Sequence, residues 1–527
     1  MKTKLKLSAL CIAVGMAILV SCKSDDSPLP APQVSSSKSS IAIAADASDT
    51  LTLTIVAPAK FASISATVDN GSVVVDEITG TNTLTGTARL IYTATDDLGN
   101  FTIAVTVTDG EKKTGTTSIG VSVSAKAPVT LAAGNISGSL ERNTTYIAEG
   151  SLVVPQDQSL TIPEGVTIIF DGDGSQGSAE FTVNGNLYCK GTKELPIYFT
   201  LPEAKRVASN IYAGLWGGVQ ATTTCSEMVL QYTNINYCGA PAGSSNGSVL
   251  AGAYSEGTSR YGLLFSNNSG KLVIQNSKIA YTKDDGMRVL GGTILISNNV
   301  FESCGSTGGE SVNIKSGTTG DVAYNVLYSS ATNGFKISNV SGSAPTPQTN
   351  INVYNNTVLN GGYRQTATSA HGGSINMEKG ARGQIYNNMV VNCKFGTRIT
   401  TDADTVNIKV GYNLYYGNDD VIAGQFYPTA SWINSKAKKE VSKDVSGSTG
   451  DNDPKFVNFT VTNFVSSDAA STSNPAFLGT YDLHLQSGSP AIGKGKSGFT
   501  VGTSIIAGGI TYNVPAPSTY IGAFGTN

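Results

Sequence analysis

The chain has 527 residues, enough for more than one domain; 59 are glycine and only 14% are charged, which favours many short strands and tight turns over long amphipathic helices. Its formal net charge of −3 argues against nucleic acid as a partner. The histidines number two, His371 and His484, so a histidine-rich zinc site is excluded.

Lys2, Lys4 and Lys6 precede a mostly apolar run from Leu7 to Val20, then Ser21 and Cys22. This is the pattern of a signal peptide, 1–21, and the run is too short to span a bilayer. Leu19-Val20-Ser21-Cys22 resembles a bacterial lipobox, which implies cleavage before Cys22 and a diacylglycerol on its thiol. A further N-acyl chain of the palmitate kind would make the membrane attachment stable. Lys23-Ser24-Asp25-Asp26 resembles the export signal that sends Bacteroidota lipoproteins to the outer face of the cell. The expected location is therefore the outer membrane, lipid-anchored and facing the exterior. Residues 22–39 are Pro/Ser-rich, hold too little apolar surface for a core, and read as a flexible tether.

From 40 to 126, apolar and polar residues alternate with period two, as in Leu51–Ile55, Ala104–Thr108 and Ile119–Val123. Turns are predicted at Asp96–Asn100 and at Asp109-Gly110. The spacing predicts a small β-sandwich. The run from Tyr92 to Val123 resembles the last strands of bacterial immunoglobulin-like or cadherin-like modules.

From 127 to 527 the chain is periodic. Leu230, Ile274, Ile296, Val322, Val353, Ile385 and Val410 lead similar tetrapeptides, and the steps from Ile274 to Ile296 to Val322 are 22 and 26 residues. Such a repeat of short strands and turns predicts a solenoid. Its fourth positions, Thr233, Ser277, Asn299, Asn325, Asn356, Asn388 and Asn413, predict a ladder of amides stacked at the strand spacing of about 4.8 Å. Cys238, Cys304 and Cys393 share another column, but neighbouring coils do not both carry one. Coils two apart lie about 9.6 Å apart, beyond disulfide reach, so free buried thiols are expected. The opening segment Asn143–Tyr146, Ile162-Pro-Glu-Gly-Val166 and Gly191–Ile197, with the closing segment Asp453-Pro-Lys-Phe456, Leu483–Ala491 and Ile521–Ala523, resembles pectin-lyase-like proteins. That resemblance implies an all-β fold, a right-handed parallel β-helix, and identifies a fold better than an activity.

One strand column carries candidate chemistry. With Met287/Val289, Val312/Ile314, Phe335/Ile337 and Ile375/Met377 inward, the residues between them, Arg288, Asn313, Lys336 and Asn376, face outward, and Arg398 continues the column. The next outward column adds Lys315 and Glu378. Regularly spaced cations and amides suit an extended glycan, and a solvated solenoid face is the plain alternative.

His371-Gly-Gly-Ser-Ile375 with Arg398-Ile399 resembles polygalacturonase motifs, but the preceding coil offers Asn333-Gly-Phe-Lys336 where such an enzyme needs an acid. Glu310 with Lys315-Ser316 resembles the calcium ligand and lysine base of chondroitinase-like and alginate lyases, although Lys336 stands where an arginine is expected. Asp284, Asp285 and Glu310 on adjacent turns are the candidate oxygen ligands for Ca²⁺.

Residues 417–475 break the repeat and carry Phe426, Tyr427 and Trp432, either as a binding insertion or as a cap on the open end of the helix. The favoured reading is a non-catalytic surface lipoprotein that binds polysaccharide or serves an outer-membrane protein complex. A lyase acting on an acidic glycan is the alternative, and a structural stalk or adhesin the third.

Overall fold

The computed structural model describes residues 28–339, 347–365, 372–434, 439–473, 475 and 477–527. The chain divides between Lys126 and Ala127 into two compact units. No helix among the described residues is long and apolar enough to cross a membrane.

The first unit holds two four-stranded sheets, with Leu51, Leu53, Leu90, Tyr92, Ile103, Val105, Ile119 and Val121 buried between them. Asp109 closes its turn by accepting the N–H groups of Glu111 and Lys113 at 3.0 and 2.9 Å. Within the stretch read as tether, Gln33–Ser36 forms a strand paired antiparallel with Ser48–Val56. Its one apolar side chain, Val34, packs on the sandwich core, and this ties the segment down.

The second unit is a right-handed parallel β-helix. Among the described residues, its three parallel sheets contain 10, 10 and 11 strands. In one coil the chain runs through Met287–Leu290 on face I, Thr293–Ser297 on face II and Val300–Cys304 on face III. Face II pairs Leu230, Ile274, Ile296, Val322, Val353, Ile385 and Val410 in unbroken register. The corner into face III is turned by one residue in the left-handed region, among them Asn276, Asn298, Tyr324, Asn355, Asn387 and Tyr412, with φ from 52° to 59°. Asparagine tolerates this conformation better than most side chains.

Behind each such corner stands the ladder. Asn299 Nδ2 donates to Asn325 Oδ1 at 3.0 Å, Asn325 to Asn356 at 2.9 Å, Asn356 to Asn388 at 2.9 Å and Asn388 to Asn413 at 3.1 Å. Asp444 ends it, accepting the Asn413 N–H at 2.9 Å. Among the described residues, the five cysteines Cys189, Cys225, Cys238, Cys304 and Cys393 are free and buried.

Part of the interrupted stretch 417–475 adds an irregular last coil. Ser431 accepts the Ile399 N–H, Glu440 bridges to Gly411 and Val445 to Leu414. Residues beyond this coil do not continue the helix; they run back over its outside. Phe456, Val461, Leu478, Leu483, Leu485 and Ile521 cover the outer side of face III at Val326, Leu359, Met389, Val391 and Leu414. Ile505, Ala507 and Tyr512 cover face II at Val229, Val273 and Leu295. This explains strands that are apolar on both sides, such as Met389-Val390-Val391 and Ile294-Leu295-Ile296, since each is buried from within and without.

Asn356 donates to Val322 O, Tyr354 O and Asn388, and accepts from the Asn325 backbone and side chain. Asn356→Ala leaves these buried groups unpaired, and a denaturant titration should show a loss of about 1 to 3 kcal/mol. An unmoved midpoint would contradict the ladder's structural role.

Candidate functional site

From Met287 to Met377 the strands of face I alternate apolar and polar residues. Leu263/Phe265, Met287/Val289, Val312/Ile314, Phe335/Ile337 and Ile375/Met377 point into the core. The pairing Leu264↔Arg288↔Asn313↔Lys336↔Asn376↔Arg398 aligns the residues between them in one outward column. Lys315 and Glu378 lie two residues further along their strands.

These groups do not stand free in solvent, as the sequence alone suggests for outward strand positions. Asn313 and Asn376 are only 1% and 2% exposed, and the Arg288 and Lys336 side chains 22% and 24%. They satisfy one another. Fully buried Asp285 accepts from Arg288 Nε at 2.8 Å and Asn313 Nδ2 at 3.0 Å through Oδ2, and from the Glu310 N–H at 2.8 Å through Oδ1. The Arg288 guanidinium also lies 4.0 Å from the centroid of the Tyr261 ring and donates to its hydroxyl. Lys336 Nζ sits between Glu310 at 3.4 Å and Glu378 at 3.8 Å. Asn376 donates to Glu378 at 2.9 Å and accepts from Arg398 Nη1 at 3.0 Å. Two buried atoms of the column, Asn313 Oδ1 and Arg398 Nε, have no hydrogen-bond partner among the described residues.

Burial and the neighbouring charges separate the acids. Burial pulls the Asp285 carboxyl upward, but Arg288 and the Glu310 N–H outweigh it and hold Asp285 below the usual range. Burial and then the Asp285 charge push Glu310 up to about 8, with Lys336 opposing. Asp284 rises to about 6 for the same two reasons, burial and Asp285. Burial, then Arg288 and Lys336, lower the Lys315 ammonium. Lys336 moves up, because Glu310 and Glu378 outweigh its burial.

Calcium does not fit here. Among the described residues no group of three or more His, Cys, Asp or Glu side chains is placed to hold a metal ion. Asp284, Asp285 and Glu310 come from adjacent turns, yet the oxygens of Asp285 are spent on Arg288, Asn313 and the Glu310 N–H, and Arg288 and Lys336 already supply the positive charge. His371 lies outside the described residues.

Upstream of Arg288 the same outward column, Thr182↔Gln220↔Leu264, is sealed by an excursion spanning 239–262. Tyr254 donates to Gln220 Oε1 at 2.8 Å and packs with Ala242 on Leu264. Glu180 and Arg260, both fully buried, pair at 2.8 Å, and Glu180 also accepts from Ser248 N and Oγ at 2.7 Å each. Sequence reading missed this pair, since 80 residues separate its members with no local pattern. The accessible part of face I thus begins at Arg288.

A family model described as a pectate-lyase-like β-helix domain matches residues 134–471, which include this whole column. The chain belongs to the pectate-lyase-like β-helix family. No curated protein matches it. Within the pectate-lyase-like fold, then, this chain places along one face a column in which Arg288 pairs with Asp285 and Lys336 with Glu310 and Glu378, with Lys315 and Arg398 beside them.

The raised Glu310 carboxyl makes a pH prediction. The folded chain binds this proton more tightly than the unfolded one, so stability falls as pH rises from the ordinary glutamate value of 4.5 through about 8. Glu310→Gln removes the titration, and its melting temperature should gain on the parent's across that window. Parallel curves would contradict the assignment.

Proposed function

We propose that this chain is a lipid-anchored protein of the bacterial outer-membrane surface that binds an acidic polysaccharide along face I. The observation that carries the reading is the column Arg288, Asn313, Lys336, Asn376 and Arg398. It offers hydrogen-bonding groups in strict register, with Asn313 Oδ1 and Arg398 Nε left unpaired among the described residues. Buried polar atoms without partners are costly, and a ligand hydroxyl or carboxylate would satisfy them. The charge fits an acidic chain, because the face carries Arg288, Lys315, Lys336 and Arg398, while Glu310 and Asp284 among its carboxyls have a raised affinity for protons. The chain's own C-terminal part covers faces II and III at the same coils.

A lyase is the second reading, favoured by one observation: burial, Arg288 and Lys336 lower the Lys315 ammonium, as a base removing the proton alpha to a uronate carboxylate requires. Binding stands ahead because Lys336, where a lyase would use an arginine against that carboxylate, is held between Glu310 and Glu378.

The test offers alginate, polygalacturonate and chondroitin sulfate, with neutral xylan for comparison, to the parent and to a Lys336→Gln/Arg398→Gln variant. Arg288 is left intact because its removal would strand buried Asp285. At least one acidic polymer should bind, more weakly as salt rises, and the variant should lose roughly tenfold, about 1.4 kcal/mol. Equal binding by parent and variant would refute the assignment to face I, and ultraviolet-absorbing unsaturated product would favour the lyase. Cys22→Ala should release the protein from the membrane fraction, and unchanged retention would refute the anchor.

A further inference from the structure

A second feature lies away from face I, where the outer side of face III meets the returning chain around Phe456–Ala469. The corners out of face III are turned by Ser329, Asn360 and Asn392 in the left-handed region, with φ of 53°, 56° and 50°. Asn360 and Asn392 are equivalent residues one coil apart, and the chain treats them differently. Asn392 is spent: its Nδ2 donates to Val461 O at 2.8 Å and its Oδ1 accepts the Asn418 N–H at 3.0 Å. Asn360 is only 8% exposed, and its Oδ1 is buried with no partner among the described residues. Beside it the wrapped chain leaves a hollow of about 240 Å³.

The walls of this hollow are of two kinds. Tyr328, Phe459 and Phe464 supply aromatic surface, Tyr328 and Phe459 standing edge to face with centroids 6.3 Å apart. Asn360 at the floor and the exposed Asp468 at the rim supply acceptors. None of the described residues lining it is a lysine or arginine, so an anion would find no counter-charge among them. Pockets for drug-sized ligands run roughly 300–1,000 Å³, so this volume suits one ring and not a chain.

We infer that this hollow is a binding site for a single neutral sugar ring. One hydroxyl donates to Asn360 Oδ1 and a second to the Asp468 carboxylate, while the C–H face of the ring lies on the aromatic wall. The site shares no residue with face I and does not depend on what face I binds.

Saturation-transfer NMR on the full chain, with glucose, galactose, mannose, N-acetylglucosamine and arabinose offered one at a time, tests this. At least one sugar should receive saturation from the parent, and its affinity should fall at least roughly tenfold in Asn360→Gly, a substitution suited to the positive φ. Should that variant fail to fold, Asp468→Ala on the exposed rim decides, with a loss of at least roughly threefold expected. The Lys336→Gln/Arg398→Gln variant should bind the sugar like the parent. No transfer to any sugar, an unchanged affinity in the folded Asn360 or Asp468 variant, or loss of binding in the face I variant would each overturn the proposal.

Discussion

A parallel β-helix must turn the same corners on every coil without letting the coils slip, and here the asparagine ladder meets that requirement. Each amide from Asn299 to Asn413 lies behind a left-handed corner residue, and those from Asn299 to Asn388 donate to the amide of the next coil. A coil shifted by one residue would break two such contacts inside a dry core and turn its inward side chains outward. Register on face II therefore holds register on the other faces. The outward column of face I is straight because the corner behind it repeats.

The open ends and sides of the solenoid are handled by the chain itself. Asp444 and the irregular coil through Ser431, Glu440 and Val445 close the ladder's last turn, and the segment beyond folds back over faces III and II. This return is held by polar contacts as well as by apolar burial: Asp321 accepts the Gly502 N–H, Glu227 that of Gly508, and Asn355 donates to Tyr520 O. Among the described residues, face I is sealed upstream by the excursion that carries Tyr254 and Arg260. Beyond this seal Arg288 and Lys336 are paired with carboxyls from neighbouring turns, an arrangement that lowers the cost of desolvating these cations before any ligand arrives.

Much of this could be read from the sequence, and the parts that could not have a common cause. The ladder and the face I column follow from period and register, which survive in one dimension. The inward partners Met287/Val289 and Ile375/Met377 declare the outward residues between them. What escaped is set by contacts remote in sequence. Asp285 takes up Arg288 and Asn313, and Glu310 meets Lys336, so two of the candidate calcium ligands and two of the cations of the column form one network. Glu180 finds Arg260 across an excursion. One available signal was overlooked: triplets such as Leu272-Val273-Ile274 and Met389-Val390-Val391 are apolar throughout, and this marks faces II and III as covered on both sides, whereas Val312-Asn313-Ile314 and Phe335-Lys336-Ile337 alternate.

The central claim is that face I, from Arg288 to Arg398, is where this protein meets an extended acidic ligand. Lysine modification by a small acylating reagent, read by mass spectrometry with and without the polymer that binds best, tests it most directly. The account predicts that the polymer slows labelling of Lys315 and Lys336 on face I and leaves Lys409 and Lys496, beside the returning chain on face II, unchanged. Protection at Lys409 and Lys496 with none at Lys315 and Lys336 would contradict it.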